Sequence, residues 1–209
     1  MSGERPATPA EALATLLEGN RRFMGGCRQH PNQDADRRAA LAPGQHPFAV
    51  VFGCADSRLA AEIIFDRGLG DLFVVRTAGQ VVGPEVLGSL EYGVEVLDAP
   101  LIAVLGHDSC GAIAAGRAAM VDGQTPSGFM REVVERVMLS LVATPNGLHD
   151  LDAAAEEHVR YTADLLVERS GTIARRVHTG ETAVVGLFYR LVEGSVRVVV
   201  RHGKGLAVA

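Results

Sequence analysis

The sequence predicts an α/β fold: a mostly parallel central β-sheet flanked by helices, with an N-terminal helical arm and a C-terminal strand pair. Three observations carry this. The runs at 48–53 (FAVVFG), 72–76 (LFVVR) and 101–106 (LIAVLG) are continuously apolar rather than alternating, the pattern of strands covered on both faces. Helix-like segments separate them, giving strand–helix–strand–helix–strand order. Near the end, 182–187 (TAVVGL) and 195–200 (SVRVVV) read as a closing pair, with Gly194 supplying the turn.

The elements follow in chain order. Thr8 can cap a first helix, with Pro9 at its first position and Glu11 completing a capping box. Leu13, Leu16, Leu17 and Phe23 recur near helical spacing, and Gly25-Gly26 ends the element. Residues 27–47 read as an irregular arm, polar and carrying Pro31, Pro43 and Pro47, suited to a surface loop or to wrapping a neighbouring subunit. Helices are expected at 59–67 and at 84–97, the latter with Val86, Leu87, Leu90, Val94 and Leu97 on one face. A small-residue helix follows Cys110, then a Gly/Pro loop at 122–128 and helices near 129–142 and 150–169. No repeat, low-complexity tract or internal boundary interrupts the pattern. The expectation is one domain over 1–209, with 1–47 as helix and arm.

Composition narrows the function. A chain of 209 residues can bury a real core, and 47% apolar with 22% charged residues is ordinary for a globular protein. A net charge of −5 with no basic stretch gives no footing for nucleic acid. No apolar run reaches the ~18 residues of a membrane span. Residues 1–12 are polar and lack a secretory pattern, so the cytoplasm is the expected compartment. Three cysteines, Cys27, Cys54 and Cys110, are too few for a disulfide scaffold, and an odd number cannot all pair.

The chemistry gathers at two strand ends. The first apolar run leads into Cys54-Ala55-Asp56-Ser57-Arg58, and the third into His107-Asp108-Ser109-Cys110-Gly111. Parallel sheets bind ligands beyond the carboxyl ends of their strands. If these two strands are near each other, Cys54, His107 and Cys110 can converge as a zinc-type donor set, with Asp56 as fourth ligand or its replacement. Taken singly, a small cysteine after a buried strand is core filler more often than a ligand. Two such clusters at two strand ends shift the balance toward metal. A dinucleotide site is poorly supported, because no G-x-G-x-x-G follows any expected strand.

Cys54-x-Asp56-x-Arg58, with His107-x-x-Cys110-Gly111 about fifty residues on, resembles the paired signature of the β-class carbonic anhydrases, most closely plant-like and actinobacterial members. The intervening Phe73-Val74-Val75-Arg76-Thr77-Ala78-Gly79 and Ser89-Leu90-Glu91-Tyr92 fit the same family. The resemblance implies zinc on Cys54, His107 and Cys110, with Asp56 either binding it in a resting state or yielding its place to water. Arg58 would pair with the released Asp56. Gln45 would hydrogen-bond bicarbonate, and Phe73, Tyr92 and Gly111 would line the substrate pocket, the two aromatics across a dimer interface. The plainer readings are a solvated loop residue for Gln45 and core packing for Phe73 and Tyr92.

The implied reaction is reversible hydration of carbon dioxide to bicarbonate in a homodimer or homotetramer. Two thiolates already neutralise the zinc charge, so hydration is expected to run best on the alkaline side. Other readings are hydrolysis of carbon disulfide or carbonyl sulfide on the same fold, and a non-catalytic zinc protein. Gln80 and Val51 depart from the family pattern. Val51 stands where bicarbonate-regulated members carry tryptophan, so that regulation is not expected. Cys27 matches no ligand and is expected to be a free thiol.

Overall fold

Helix α1 (Pro9–Met24) forms where its capping signals place it, in the computed structural model, which describes residues 5–206. The first four residues of the polar N-terminal stretch lie outside that range. Thr8 Oγ1 accepts from Glu11 N at 3.3 Å, and Glu11 Oε2 accepts from Thr8 N at 3.1 Å. The arm is less irregular than expected. It contains α2 (Ala35–Ala40), capped by Asp34, which accepts from Arg37 N at 2.7 Å. None of its residues is buried, so it carries no apolar stripe for a periodicity argument to find. Asp66 pins the arm, accepting from Gln29 N and His30 N at 3.0 Å each and from Arg22 Nε at 2.6 Å.

Among the described residues the sheet has five strands: β1 (Ala49–Cys54), β2 (Leu72–Thr77), β3 (Leu101–His107), β4 (Ala183–Tyr189) and β5 (Val196–His202), in spatial order β2-β1-β3-β4-β5. All neighbours are parallel except β4 and β5, the antiparallel closing pair. The central strands β1, β3 and β4 are buried along their whole length, and the edge strands β2 and β5 are half-buried. This is why the central strands read as unbroken apolar runs.

Helices cover the sheet. The segment expected as a helix over 59–67 yields only α3 (Ala61–Ile64), because Asp66 takes a positive φ of 47° to meet the arm. Helix α4 (Pro84–Glu95) packs on β1 and β2. Helices α5 (Gly111–Val121) and α6 (Met130–Ala143) pack on each other, and α7 (Leu151–Arg169) lies along β3, β4 and β5. Its close seating depends on Gly106, where a Cβ would stand 2.3 Å from Val159 Cγ2. Helix α8 (Gly171–Thr179) was not expected from the sequence. It follows α7 with only Ser170 between, and Ser170 starts it by accepting from Ile173 N at 3.1 Å. None of the described helices is long and apolar enough to cross a membrane.

Candidate metal centre

Sheet order creates the site. β1 ends at Cys54, and its parallel neighbour β3 ends at His107, with Gly53 opposite Leu105 in the register. Adjacent strands lie about 4.8 Å apart, so two side chains at neighbouring strand ends can share one ion. Cys110 comes three residues later, immediately before α5, where a helix N-terminus favours a thiolate. Ser109, at φ 52°, turns the chain between them. The ligand atoms of Cys54, His107 and Cys110 all lie within 4.8 Å of one another, and all three residues are buried.

The donors are prepared for a metal. His107 Nδ1 donates to the Asp108 carbonyl at 2.8 Å, which fixes the tautomer and leaves Nε2 bearing the lone pair. Among the described residues the buried Nε2 has no hydrogen-bond partner, an orphan that a metal would satisfy. The closeness of the two sulfurs moves the Cys54 thiol down and the Cys110 thiol up, burial adding to the rise at Cys110. A metal must therefore displace protons, so its affinity should fall as pH falls. A Cys-His-Cys set of this kind fits zinc.

Asp56 is not gathered with these three. Sequence reasoning gives it two positions, on the metal in a resting state or released to pair with Arg58, and here its carboxylate faces Arg58. Arg58 Nε donates to Oδ1 at 2.9 Å and Nη2 to Oδ2 at 2.6 Å, a bidentate pair, and Arg58 N also donates to Oδ1 at 2.9 Å. The guanidinium holds the Asp56 carboxyl well below the usual carboxylate range. Oδ2 remains 4.0 Å from His107 Nε2, at the edge of the cluster.

Three supporting groups escaped the sequence reading. Arg76 Nε donates to the Cys54 carbonyl at 3.0 Å and Nη2 to the Asp56 carbonyl at 2.6 Å, clamping the first motif. Asp152 accepts from Ser109 N at 3.1 Å and from Arg190 Nη1 at 3.2 Å, which steadies the second motif. Gly79 N donates to Cys54 Sγ at 3.3 Å. Arg76 and Gly79 stand in a quoted motif, yet no local spacing signals their contacts.

Gly79 is tightly constrained. It sits at φ 62°, and a Cβ there would lie 2.7 Å from Ala112 Cβ and 3.2 Å from Val137 Cγ1. Gly79→Ala combines a left-handed backbone with overpacking and should cost about 2–4 kcal/mol in urea unfolding. A loss below about 1 kcal/mol would show that the turn relaxes freely.

Other expected site residues lie elsewhere in the chain. Phe73 pairs with Val50 and Thr77 with Cys54, so Phe73 stands four residues, roughly 13 Å, back along the strand from the cluster. Tyr92 is half-exposed, with its ring centroid 6.0 Å from that of Phe73. Gln45 is exposed and precedes β1, at the opposite end of that strand from Cys54. Within one chain these three do not reach the cluster. Gly111 opens α5 beside Cys110, and a Cβ there would meet open space. Val51 and Gln80 are buried, while Cys27 is an exposed free thiol.

Comparison with known proteins identifies the family. The carbonic anhydrase family profile matches residues 49–196. Carbonic anhydrase 2 of Mycobacterium tuberculosis is 55% identical over 198 residues, covering 94% of this chain and 95% of the relative. A carbonic anhydrase of Mycolicibacterium smegmatis is 51% identical over 193 residues, covering 92% and 94%. Among solved structures, the Coccomyxa β-carbonic anhydrase in complex with acetazolamide superposes with a TM-score of 0.70 at 27% identity, covering 91% of this chain and 88% of that one. A tetrameric β-carbonic anhydrase structure from Sordaria macrospora gives a TM-score of 0.69 at 23% identity, with 90% and 96% covered.

Proposed function

The chain belongs to the β-carbonic anhydrase family, and we propose that it hydrates carbon dioxide reversibly with a zinc ion held by Cys54, His107 and Cys110. The carrying observation is the buried convergence of two sulfurs with the unpartnered Nε2 of His107. Zinc, when bound, supplies a Lewis acid that makes water ionise at accessible pH. The chain's own residues do the rest. His107 keeps its lone pair aimed at the cluster through its bond to Asp108. Arg58 holds Asp56 at the edge of the cluster, where its carboxylate would accept a hydrogen bond from a group bound there. Gly111 leaves room next to Cys110 for a small substrate.

A closed structural zinc site would have four permanent protein ligands. The bidentate Arg58 pair, which gives Asp56 another partner, argues for an open fourth position instead. Stopped-flow hydration of carbon dioxide by the zinc-loaded protein tests the reading, and turnover no faster than that of the metal-stripped protein would sink it.

The placement of Gln45, Phe73 and Tyr92 supports sites built between two copies. Two copies related by a two-fold axis would each offer these residues to the other's cluster. The half-exposed Tyr92 and the half-buried edge strand β2 leave that surface available. Tetramers occur among structural relatives, as in Sordaria macrospora. Three unpaired cysteines, one of them exposed, suit a reducing cytoplasm.

Gln45→Ala should lower turnover about tenfold or more with zinc content intact, because it removes a group that orients the substrate. Mixing Gln45→Ala chains with Cys110→Ala chains, followed by subunit exchange, should then restore activity. Each mixed pair rebuilds one complete site from one chain's ligands and the other's Gln45. Full activity in Gln45→Ala would return the residue to the solvated loop, and failed restoration would make each chain's site self-contained.

A further inference from the structure

His158 lies on α7, 104 residues beyond Cys54 in the chain, and is only 2% exposed. Its Nε2 is 2.7 Å from the Gly79 carbonyl oxygen, and its Nδ1 is 2.9 Å from Ser140 Oγ on α6. A carbonyl can only accept, so Nε2 carries the proton and donates it, while Nδ1 accepts from the Ser140 hydroxyl. Burial pushes the imidazole pKa down and keeps the ring neutral, consistent with that assignment. Gly79 in turn donates its N–H to Cys54 Sγ at 3.3 Å. Ser140, His158, Gly79 and Cys54 thus form one hydrogen-bonded chain from α6 to a candidate metal ligand.

We infer that His158 is a positioning residue for the metal centre, holding the Gly79 turn so that its N–H points at the Cys54 sulfur. The N–H and C=O of Gly79 belong to adjoining peptide planes hinged at its Cα. Glycine at φ 62° has no Cβ of its own to fix that hinge, so its neighbours must hold it. The bond from His158 pins one plane, and packing of Ala112 and Val137 against the Cα limits the other. An N–H donated to a thiolate withdraws charge from the sulfur, so its direction tunes how strongly the sulfur donates to a metal. Any buried histidine must satisfy both ring nitrogens; what ties this one to the site is that one of its bonds falls on the same glycine whose N–H reaches Cys54.

The inference rests on the zinc reading above, and its test separates the two. Zinc affinity would be measured by chelator competition, and the thiolate-to-metal charge-transfer band would be recorded on the cobalt-substituted full chain. His158→Leu should lose about 10- to 100-fold in zinc affinity and shift the band. His158→Gln, which can still reach the Gly79 oxygen with its amide nitrogen, should stay close to wild type in both. If the leucine variant does not fold, His158→Asn decides, because its amide is too short for Gly79 and should reproduce the loss. A folded His158→Leu or His158→Asn with wild-type affinity and band overturns the inference, as does a glutamine variant as impaired as leucine. A wild-type chain that takes up neither metal sinks the zinc reading instead.

Discussion

Cys110→Ala is expected to purify without zinc, where the wild-type chain carries about one ion, and to lose more than ~100-fold in carbon dioxide hydration. Removing a group that merely supports a ligand costs 10- to 100-fold, so removing a ligand itself should cost more. The site has three protein donors within reach of one another, and two of them are sulfurs. Losing one leaves a Cys-His pair, too few for a tetrahedral ion to be held against competing chelators. Metal binding also adds to folding free energy. Chelation should therefore lower the melting temperature of the wild type and leave that of Cys110→Ala unchanged. Metal analysis, stopped-flow rates and paired melts read the three effects. A variant that retains zinc would remove Cys110 from the ligand set, and one that is metal-free yet fully active would sink the zinc reading itself.

Arg58→Ala should retain zinc yet remain poorly active even at alkaline pH, roughly tenfold or more below wild type. The structure shows Asp56 in a bidentate pair with Arg58 while its Oδ2 is 4.0 Å from His107 Nε2. A short side-chain movement would therefore exchange one partner for the other. The sign of the pH effect follows from which group titrates. Arg58 lowers the Asp56 pKa, so the folded state favours the carboxylate, and this contribution is lost only as pH falls through the depressed value. Across the working range Asp56 stays ionised, so its own protonation cannot drive a switch near neutrality. In the proposed zinc site competition would: hydroxide rises tenfold per pH unit, while the carboxylate's affinity for the metal stays constant. High pH then favours the Arg58-paired arrangement and low pH the closed one. Without Arg58 the released carboxylate loses its partner, and the balance moves toward closure. Crystal structures at about pH 6.5 and 9 with the matching pH–rate profile test this. An Asp56 that keeps one position at both values while activity still rises would leave water ionisation as the whole explanation.

Much of the fold was legible because its signals are local. Thr8, Pro9 and Glu11 mark the start of α1 through bonds spanning three residues, and the structure forms those bonds. The central strands announce themselves because burial on both faces demands an unbroken apolar run. Where a cap stood without a long apolar stripe, or a distant contact overrode the local pattern, sequence reasoning failed. Helix α2 buries nothing, α8 is separated from α7 by one residue, and α3 is cut short by the bonds of Asp66 to a distant arm.

The site divides along the same line. Cys54, His107 and Cys110 could be named from the sequence because each stands at or just past a strand end, and strand ends are local facts. That β1 and β3 are neighbours is not local: it is fixed by parallel pairing across about fifty residues, and only the order β2-β1-β3-β4-β5 brings the two motifs together. The same holds for the Arg76 clamp, the Asp152 brace and the His158 bond to Gly79, each a contact between elements remote in the chain. Asp56 shows the limit most directly. The sequence placed both the metal cluster and Arg58 within its reach, and only the tertiary structure shows the carboxylate meeting Arg58 in a two-pronged pair while staying at the cluster's edge.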